Sequence, residues 1–468
     1  MSAVNSKLDD ISSQNEDVEE MKTEIGYLSN DLNEIDKHLK TIEDLIDDSS
    51  DNEKIEEILN EMEEIKRKLN EIEVVGANNE KTVGEIGEKI DKYIKTVEEK
   101  MIVEKELQNI REMLKVLTEQ TPDEDKEKKI SLLESRIERL EEAYSDEASS
   151  FSFNLFLSEI ADIRSKAGSD ALYLGDNFVK YTVRSGDSLW GIARAYDIDL
   201  EDLRSSNPLL KNSNVIHSGD KLFLPINFEE ILHPDIVKEA IGFPNNYEEI
   251  KSSIISTYGS YDNGYANPGI DLNLEAPIYI RNILPGRVIE VGELNEFYGL
   301  AVLIDHGDGY RTVYSRLSES ELEKDDFVKA GDIVGITKNE KVNLHFELWK
   351  GEIPINPADI LFSNMGEFEI TMYTEWDDGK NPTSPSFKMT SSGTYVKQYR
   401  TVSADPEVFP AGTIIYVPYF ANEQNKGFFV VEDTGNEIKG KSLDIYIRDY
   451  EIASSFNKDL LVYKVYTP

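Results

Sequence analysis

Apolar residues recur at intervals of three and four through Leu8, Ile11, Val18, Met21, Ile25, Leu28, Leu32, Ile35, Leu39, Ile42 and Leu45, with one polar gap at Gln14. A seam sustained over this many turns commits a chain to helices that bury one stripe against other helices. It resumes at Ile55, Leu59, Met62, Ile65, Leu69 and Ile72, breaks at VVGANNEKT, and returns at Val83, Ile86, Ile90, Tyr93 and Val97. Leu107, Ile110, Leu114 and Leu117 extend it, and after TPDEDKEKK a final segment carries Ile130, Leu133, Ile137, Leu140 and Tyr144. Residues 1–145 therefore read as an N-terminal α-helical coiled coil that associates with itself, a trimer being one option. Mixed Ile and Leu at the seam does not specify strand number. A monomeric helical hairpin, folded back at the Gly and Pro breaks, is the alternative.

The first 150 residues hold 21 basic against 43 acidic side chains, which places about half of the net charge of -42 there. Such a field repels nucleic acid and anionic lipid, and no apolar run is long enough to span a bilayer. Neither a nucleic-acid partner nor membrane insertion is expected. The chain has no cysteine, which excludes disulfides and thiolate metal sites. The opening MSAVNSKLDDISSQNEDVEE has neither a basic n-region nor an apolar h-region, so no signal peptide is expected. Residues 146–178 read as a linker with one short helix.

Residues 179–225 read as strand, helix, helix, strand: a small α/β unit of βααβ order. Asp187 and Ser188 can cap its first helix, and Pro225 stops its last strand. The segment resembles the LysM domain in Tyr181, Val183, Gly186, Asp187, Ser188, Leu189 and Trp190, in Asn207, and in the closing Gly219 to Pro225. That resemblance implies binding of N-acetylglucosamine chains of peptidoglycan or chitin. The groove it implies is marked by Gly186, Asp187, Ser188, Leu189 and Asn207, while Trp190 is expected in the core. A LysM fold kept only for protein docking is the other reading.

A connector with helices at 226–261 leads to residues 262–362, where strands alternate with glycine turns in a mostly-β pattern. NPGIDL, HGDGYRTVYSRL, VKAGDIVG, LHFEL and INPADIL occur in the order of the LytM or lysostaphin-type zinc metallopeptidases, which this segment resembles. In that family the metal is held by a His-x-x-x-Asp pair and the second histidine of a His-x-His strand. Here the corresponding positions hold Asn267, Asp271 and His345. The positions of the two water-assisting histidines hold Asn343 and Arg316. Asn is a weak zinc ligand and no base. Two good ligands fall short of the usual three. No cofactor is expected, and a zinc site would need completion by other residues such as His306 or a neighbouring chain. A catalytically dead domain serving as scaffold or peptide groove is the expectation.

From residue 366 short alternating strands with Gly and Pro turns imply a small closed β-barrel over 366–468. With Thr374, Thr390, Gly393, Asp405, Pro406, Pro410, Gly412, Thr413, Asp433, Thr434, Gly435, Gly440 and Asp444 in place, the segment resembles the 3D domain shared with lytic transglycosylases. The resemblance implies a double-psi barrel that cleaves glycan strands. It gives the acid and base roles to Asp444, with Asp433 and Asp405 orienting it or raising its pKa. Asp405 and Asp433 as turn residues bonding their own backbone is the alternative.

Together the parts suggest a phage tail or baseplate lysin, made in the host cytoplasm and assembled into the virion with other tail proteins. LysM would hold peptidoglycan while the 3D domain opens it. A regulator that activates wall hydrolases and a purely structural tail component are the alternatives.

Overall fold

The computed structural model describes residues 102–118, 124–145, 153–172 and 178–468, apart from 208–209, 211–214, 263–264, 275–276, 338–341 and 378–380, together with Lys95, Glu99 and Lys100. Most of the predicted coiled coil thus lies outside the described residues. The chain divides into two compact units, Met1–Lys105 and Glu106–Pro468. All that follows concerns the second. Among the described residues no helix is long and apolar enough to cross a membrane.

Where the seam is described, its residues are buried within a single chain. Leu107, Ile110, Leu114 and Leu117 are covered, as are Ile130, Leu133, Ile137 and Leu140 on helix Glu124–Ser145. Arg111 donates to Glu141, tying the two helical segments together (3.1 Å from Nε). The stretch read as a linker contains a packed 19-residue helix, Phe153–Ala171. Phe156, Ile160, Ala161, Ile163 and Ala167 are buried on it, and Ser165 with them, so the one helix expected there is longer than a short linker helix and packs into the fold. Arg136 bonds Asp162 (2.9 Å) and Glu159 (2.6 Å), and Lys458 of the C-terminal strand also reaches Glu159. The helix is a strut between the N-terminal helices and the barrel.

The small α/β unit pairs β1 (Val179–Thr182) antiparallel to β2 (Lys221–Leu224), with helices Leu189–Ala195 and Leu200–Ser205 between them. Three helices, Phe228–Ile231, Pro234–Ile241 and Tyr247–Ser253, follow. The expected connector ends inside the next sheet. β3 (Ile254–Ser256) pairs with β6 (Ile270–Leu274), while β4 (Tyr261–Asp262) and β5 (Tyr265–Ala266) form a hairpin between them. The main sheet runs β11-β8-β9-β10-β13-β6-β3, using β8 (Gly286–Glu293), β9 (Leu300–Gly307), β10 (Tyr310–Leu317), β11 (Phe327–Val328) and β13 (Val342–Lys350). β14 (Ile353–Ile355) adds to β13, and β7 (Ile278–Arg281) pairs with β12 (Ile333–Thr337).

The C-terminal segment closes into a six-stranded barrel in the order β15-β19-β16-β18-β17-β20. These are β15 (Ser363–Tyr373), β16 (Thr401–Ala404), β17 (Ile414–Tyr416), β18 (Phe428–Asp433), β19 (Ser442–Tyr446) and β20 (Asn457–Tyr466). β15 with β19 and β16 with β18 run parallel, and the other neighbours antiparallel. Phe368, Ile370, Val402, Phe409, Phe429 and Val462 fill one core there. A second apolar cluster runs without a break from Tyr181 and Ile192 through Tyr314 and Phe346 to Tyr416 and Tyr463. The three C-terminal modules share it, which makes them one packed body.

Candidate active site

Pairing across four neighbouring barrel strands sets Thr371, Asp444, Ser403 and Asp433 in one row. Asp444 is half-buried on β19, and its Oδ1 accepts a hydrogen bond from Thr371 Oγ1 at 2.9 Å. Burial pushes its carboxyl up to about 6, the carboxylates of Asp377 and Asp433 add to the rise, and the Thr371 bond opposes it. Asp433 accepts from the backbone N–H groups of Ser391 (2.8 Å) and Thr434 (2.9 Å) and from the Tyr373 hydroxyl (3.3 Å). Burial first, then the Asp433 charge, keeps the Tyr373 phenol protonated. One carboxyl therefore keeps its proton up to about pH 6, in the same strand row as a second that accepts three hydrogen bonds.

Asp405 does not join them. Its Oδ2 accepts from Gly440 N (2.8 Å) and its Oδ1 from Glu407 N (3.1 Å), and these backbone bonds hold its carboxyl below the usual range. Its carboxylate thus bonds the backbone of its own turn and, 35 positions away, that of Gly440. Asp377 is the acid that the sequence reading passed over. The Thr374 N–H (2.6 Å) and hydroxyl (2.9 Å) hold it just beyond the end of β15. The run TEWDD straight after a strand was the available signal.

In the upstream sheet the two residual ligand types are occupied by each other. His345, fully buried, sets Nδ1 3.0 Å from Asp271 Oδ1 and Nε2 2.7 Å from Glu347 Oε1. Burial pulls the imidazole pKa down, but the bonds and charges of Asp271 and Glu347 more than offset it, so the net shift is upward. Arg316 Nη1 lies 2.6 Å from the same Asp271 oxygen, and Ser256 and Asn267 (2.6 Å) donate to the other. Burial would raise the Asp271 pKa, but the His345 bond and charge, with Ser256 and Arg316, leave it lowered. Tyr298 and Trp349 complete the shell on Glu347, at 3.0 and 2.6 Å. Arg316 is turned into this site by a bulge in β10 that gives it a φ of +60°, and its guanidinium lies 4.8 Å from the Phe297 ring centre.

These residues do not fit a catalytic zinc. A fixed cation already faces Asp271, and both nitrogens of His345 lie against carboxylates. Asn343 lies opposite Asn273 in the strand pair, at one end of the face that carries His345 and Glu347. His306, the other candidate ligand, is buried between Pro285 O (3.0 Å) and Thr312 Oγ1 (2.8 Å). Gly269 keeps Asn267 and Asp271 in reach of β13, because a Cβ there would stand 2.1 Å from the Phe346 carbonyl oxygen. The signal that sequence reading undervalued was Glu347 in LHFEL, two residues beyond His345 and thus on the same face of the strand.

Of the five groove residues in the βααβ unit, three are internal. The Asp187 carboxylate is buried, accepting from Tyr181 (2.8 Å), Arg184 N (2.7 Å) and, across the module boundary, Arg287 (2.5 Å). Leu189 packs in the core. Asn207 clamps its own fold, bonding Leu203 O, Phe223 O and Phe223 N at 2.7 Å each. Gly186 and Ser188 are exposed, with Ser188 capping the helix through Gly191 N (3.0 Å). Trp190, expected inside, is 62% exposed, 5.2 Å from the Arg194 guanidinium. The helix face it occupies points away from the core that Ile192 and Ala193 enter.

Family models match this chain in three places: LysM domain at residues 181–225, Peptidase family M23 at 265–357 and 3D domain at 400–457. The chain thus carries three modules, in the order LysM, M23 and 3D. It is similar to Stage II sporulation protein Q of Bacillus subtilis (strain 168), 24% identical over 179 residues that cover 36% of this chain and 63% of that protein. It is also similar to Murein hydrolase activator NlpD of Escherichia coli (strain K12), 31% identical over 115 residues, 24% of this chain and 30% of that one. It thus spans less than two thirds of the length of either relative. Among solved structures, the catalytic domain of lysostaphin from Staphylococcus simulans aligns with 24% identity over 25% of this chain and 98% of its own, at a TM-score of 0.22.

Proposed function

We propose that this protein binds peptidoglycan through its LysM domain and cleaves the glycan strands in its 3D domain as a lytic transglycosylase. The observation that carries the reading is Asp444, half-buried, with its pKa at about 6 and set in one strand row with Asp433. Its protonated carboxyl gives the proton to the glycosidic oxygen as the bond to C1 breaks. The resulting carboxylate takes the proton from the muramic acid 6-hydroxyl as that oxygen bonds to C1, closing a 1,6-anhydro ring. Asp433 and Asp377 offset the positive charge that develops at C1. The two parallel strand pairs of the barrel support its double-psi assignment. Mass spectrometry of sacculi digested by the full chain is expected to find anhydro-muropeptides; reducing ends alone would make the enzyme a hydrolase.

In this reading the M23 domain is a non-catalytic scaffold, supported by the Arg316 network in place of a metal donor set. That same network favours a second reading, in which the domain is an activator of wall hydrolases, as the name of NlpD states for that relative. The acidic heptad segment would mount several copies on a phage tail or baseplate, from which the wall modules meet peptidoglycan. Proteomics of purified virions would recover the chain. Its presence in the envelope of uninfected cells would sink that part.

A further inference from the structure

Two loops beside Asp444 are clamped to each other by chemistry that the proposed cleavage does not use. The first follows β15, where Thr374 holds Trp376 N (3.3 Å) and Asp377 (2.6 and 2.9 Å). The second precedes β16 and delivers Ser391 N to Asp433 (2.8 Å). Between them the rings of Trp376 and Phe387 meet with centroids 5.2 Å apart, and Lys388 pairs with Glu375 at 2.6 Å while lying 5.6 Å from the Phe387 ring centre. Glu375 in turn accepts from the Tyr446 hydroxyl, two residues beyond Asp444 on β19 (2.8 Å). Held by these contacts, Trp376 is nevertheless 59% exposed.

We infer that Trp376, backed by Phe387, is a sugar-stacking subsite that seats one hexosamine ring of a glycan strand next to the Asp444 and Asp433 pair. The inference rests on the glycan-cleaving reading and deepens it. An exposed indole offers a flat apolar face to the axial C–H groups of a pyranose, and its brace limits the entropy lost on binding. The loops that hold the platform also hold Asp377 and Asp433, so a ring stacked there is registered against the acids. Asp433 and Asp377 need not contact the ring for this to hold. Such a subsite binds ground state and transition state alike and acts chiefly on KM.

The test uses the full chain and soluble peptidoglycan glycan strands freed of stem peptides. Trp376→Ala is expected to raise KM about tenfold with kcat within about threefold of the parent, and Trp376→Phe to recover most of that loss. Binding is read separately in the Asp444→Asn background, where the strands should quench tryptophan emission. Trp376→Phe should remove a distinct part of that quench, the remainder belonging to Trp190 and Trp349. Unchanged KM together with unchanged quenching overturns the subsite while leaving the cleavage reading intact. If the parent shows no cleavage, the cleavage reading fails, and the quench difference alone supports or overturns the platform.

Discussion

Asp444→Asn is expected to lower glycan cleavage by about 10²- to 10⁴-fold without loss of fold, because the amide keeps the shape and the acceptor oxygen for Thr371 but cannot give up a proton. The pH profile of the parent follows from the same group. The acid must be protonated to act, so kcat/KM should fall as pH rises through about 6. Stability moves in the same direction. The folded-state pKa lies above the unfolded value of 3.8, so the native form binds the proton more tightly, and the stability this group contributes is lost between about pH 4 and 6. Above that range the buried carboxylate is a burden that asparagine removes. The variant should therefore melt no lower than the parent at pH 8. Retention of more than a tenth of the activity, or a profile flat from pH 5 to 8, would mean that the proton comes from elsewhere.

Arg316→Met is expected to destabilise the M23 domain by about 2–3 kcal/mol, a large loss for one side chain. Arg316 is the cation facing Asp271, which is nearly buried; without it the charge on Asp271 rests on His345, already shared with Glu347. The upper range for breaking a buried pair does not apply, since the Arg316 side chain is 26% exposed and water screens part of the interaction. Chemical denaturation in a Trp190→Phe, Trp376→Phe background leaves Trp349 as the one indole emitter and reads this domain, because that indole bonds Glu347 inside the network. Zinc should not rescue the variant, and a chelator should leave both the parent's unfolding transition and its glycan cleavage unchanged. A neutral Arg316→Met variant would show that the network is not what holds this site together. A chelator-sensitive parent would return the domain to the metallopeptidases.

The contrast between these two sites explains what could be read in advance. Motif order named the LysM, M23 and 3D modules, because NPGIDL, LHFEL and DTGNEIKGKSLD are local words whose turns and strand alternation are set by near neighbours. The losses at Asn267, Asn343 and Arg316 were equally visible, since a missing imidazole is missing in any fold. What replaced them was not. The guanidinium reaches Asp271 only because β10 bulges and β13 sits beside β6, a meeting of residues 45 positions apart. Likewise Asp187 looked like a groove or cap residue until the M23 sheet supplied Arg287, 100 positions away. Trp190 was expected inside on the strength of its motif; the packing of its helix turned it out.

The three aspartates of the barrel divide along the same line. Sequence by itself determined that carboxylates stand at 405, 433 and 444, that small closed β-structure surrounds them, and that the LysM, M23 and 3D modules follow one another in order. It also determined the helical seam, whose period is a property of consecutive residues. Tertiary structure alone decided which aspartate is buried near like charges and which is held ionised by backbone N–H groups. It also decided that Phe153–Ala171 packs as a strut and that the three modules share one apolar cluster. The reason is physical: a side chain's type and its near neighbours are written along the chain, but burial, and with it the pKa, partner and role of a charged group, depends on strands brought together from distant positions.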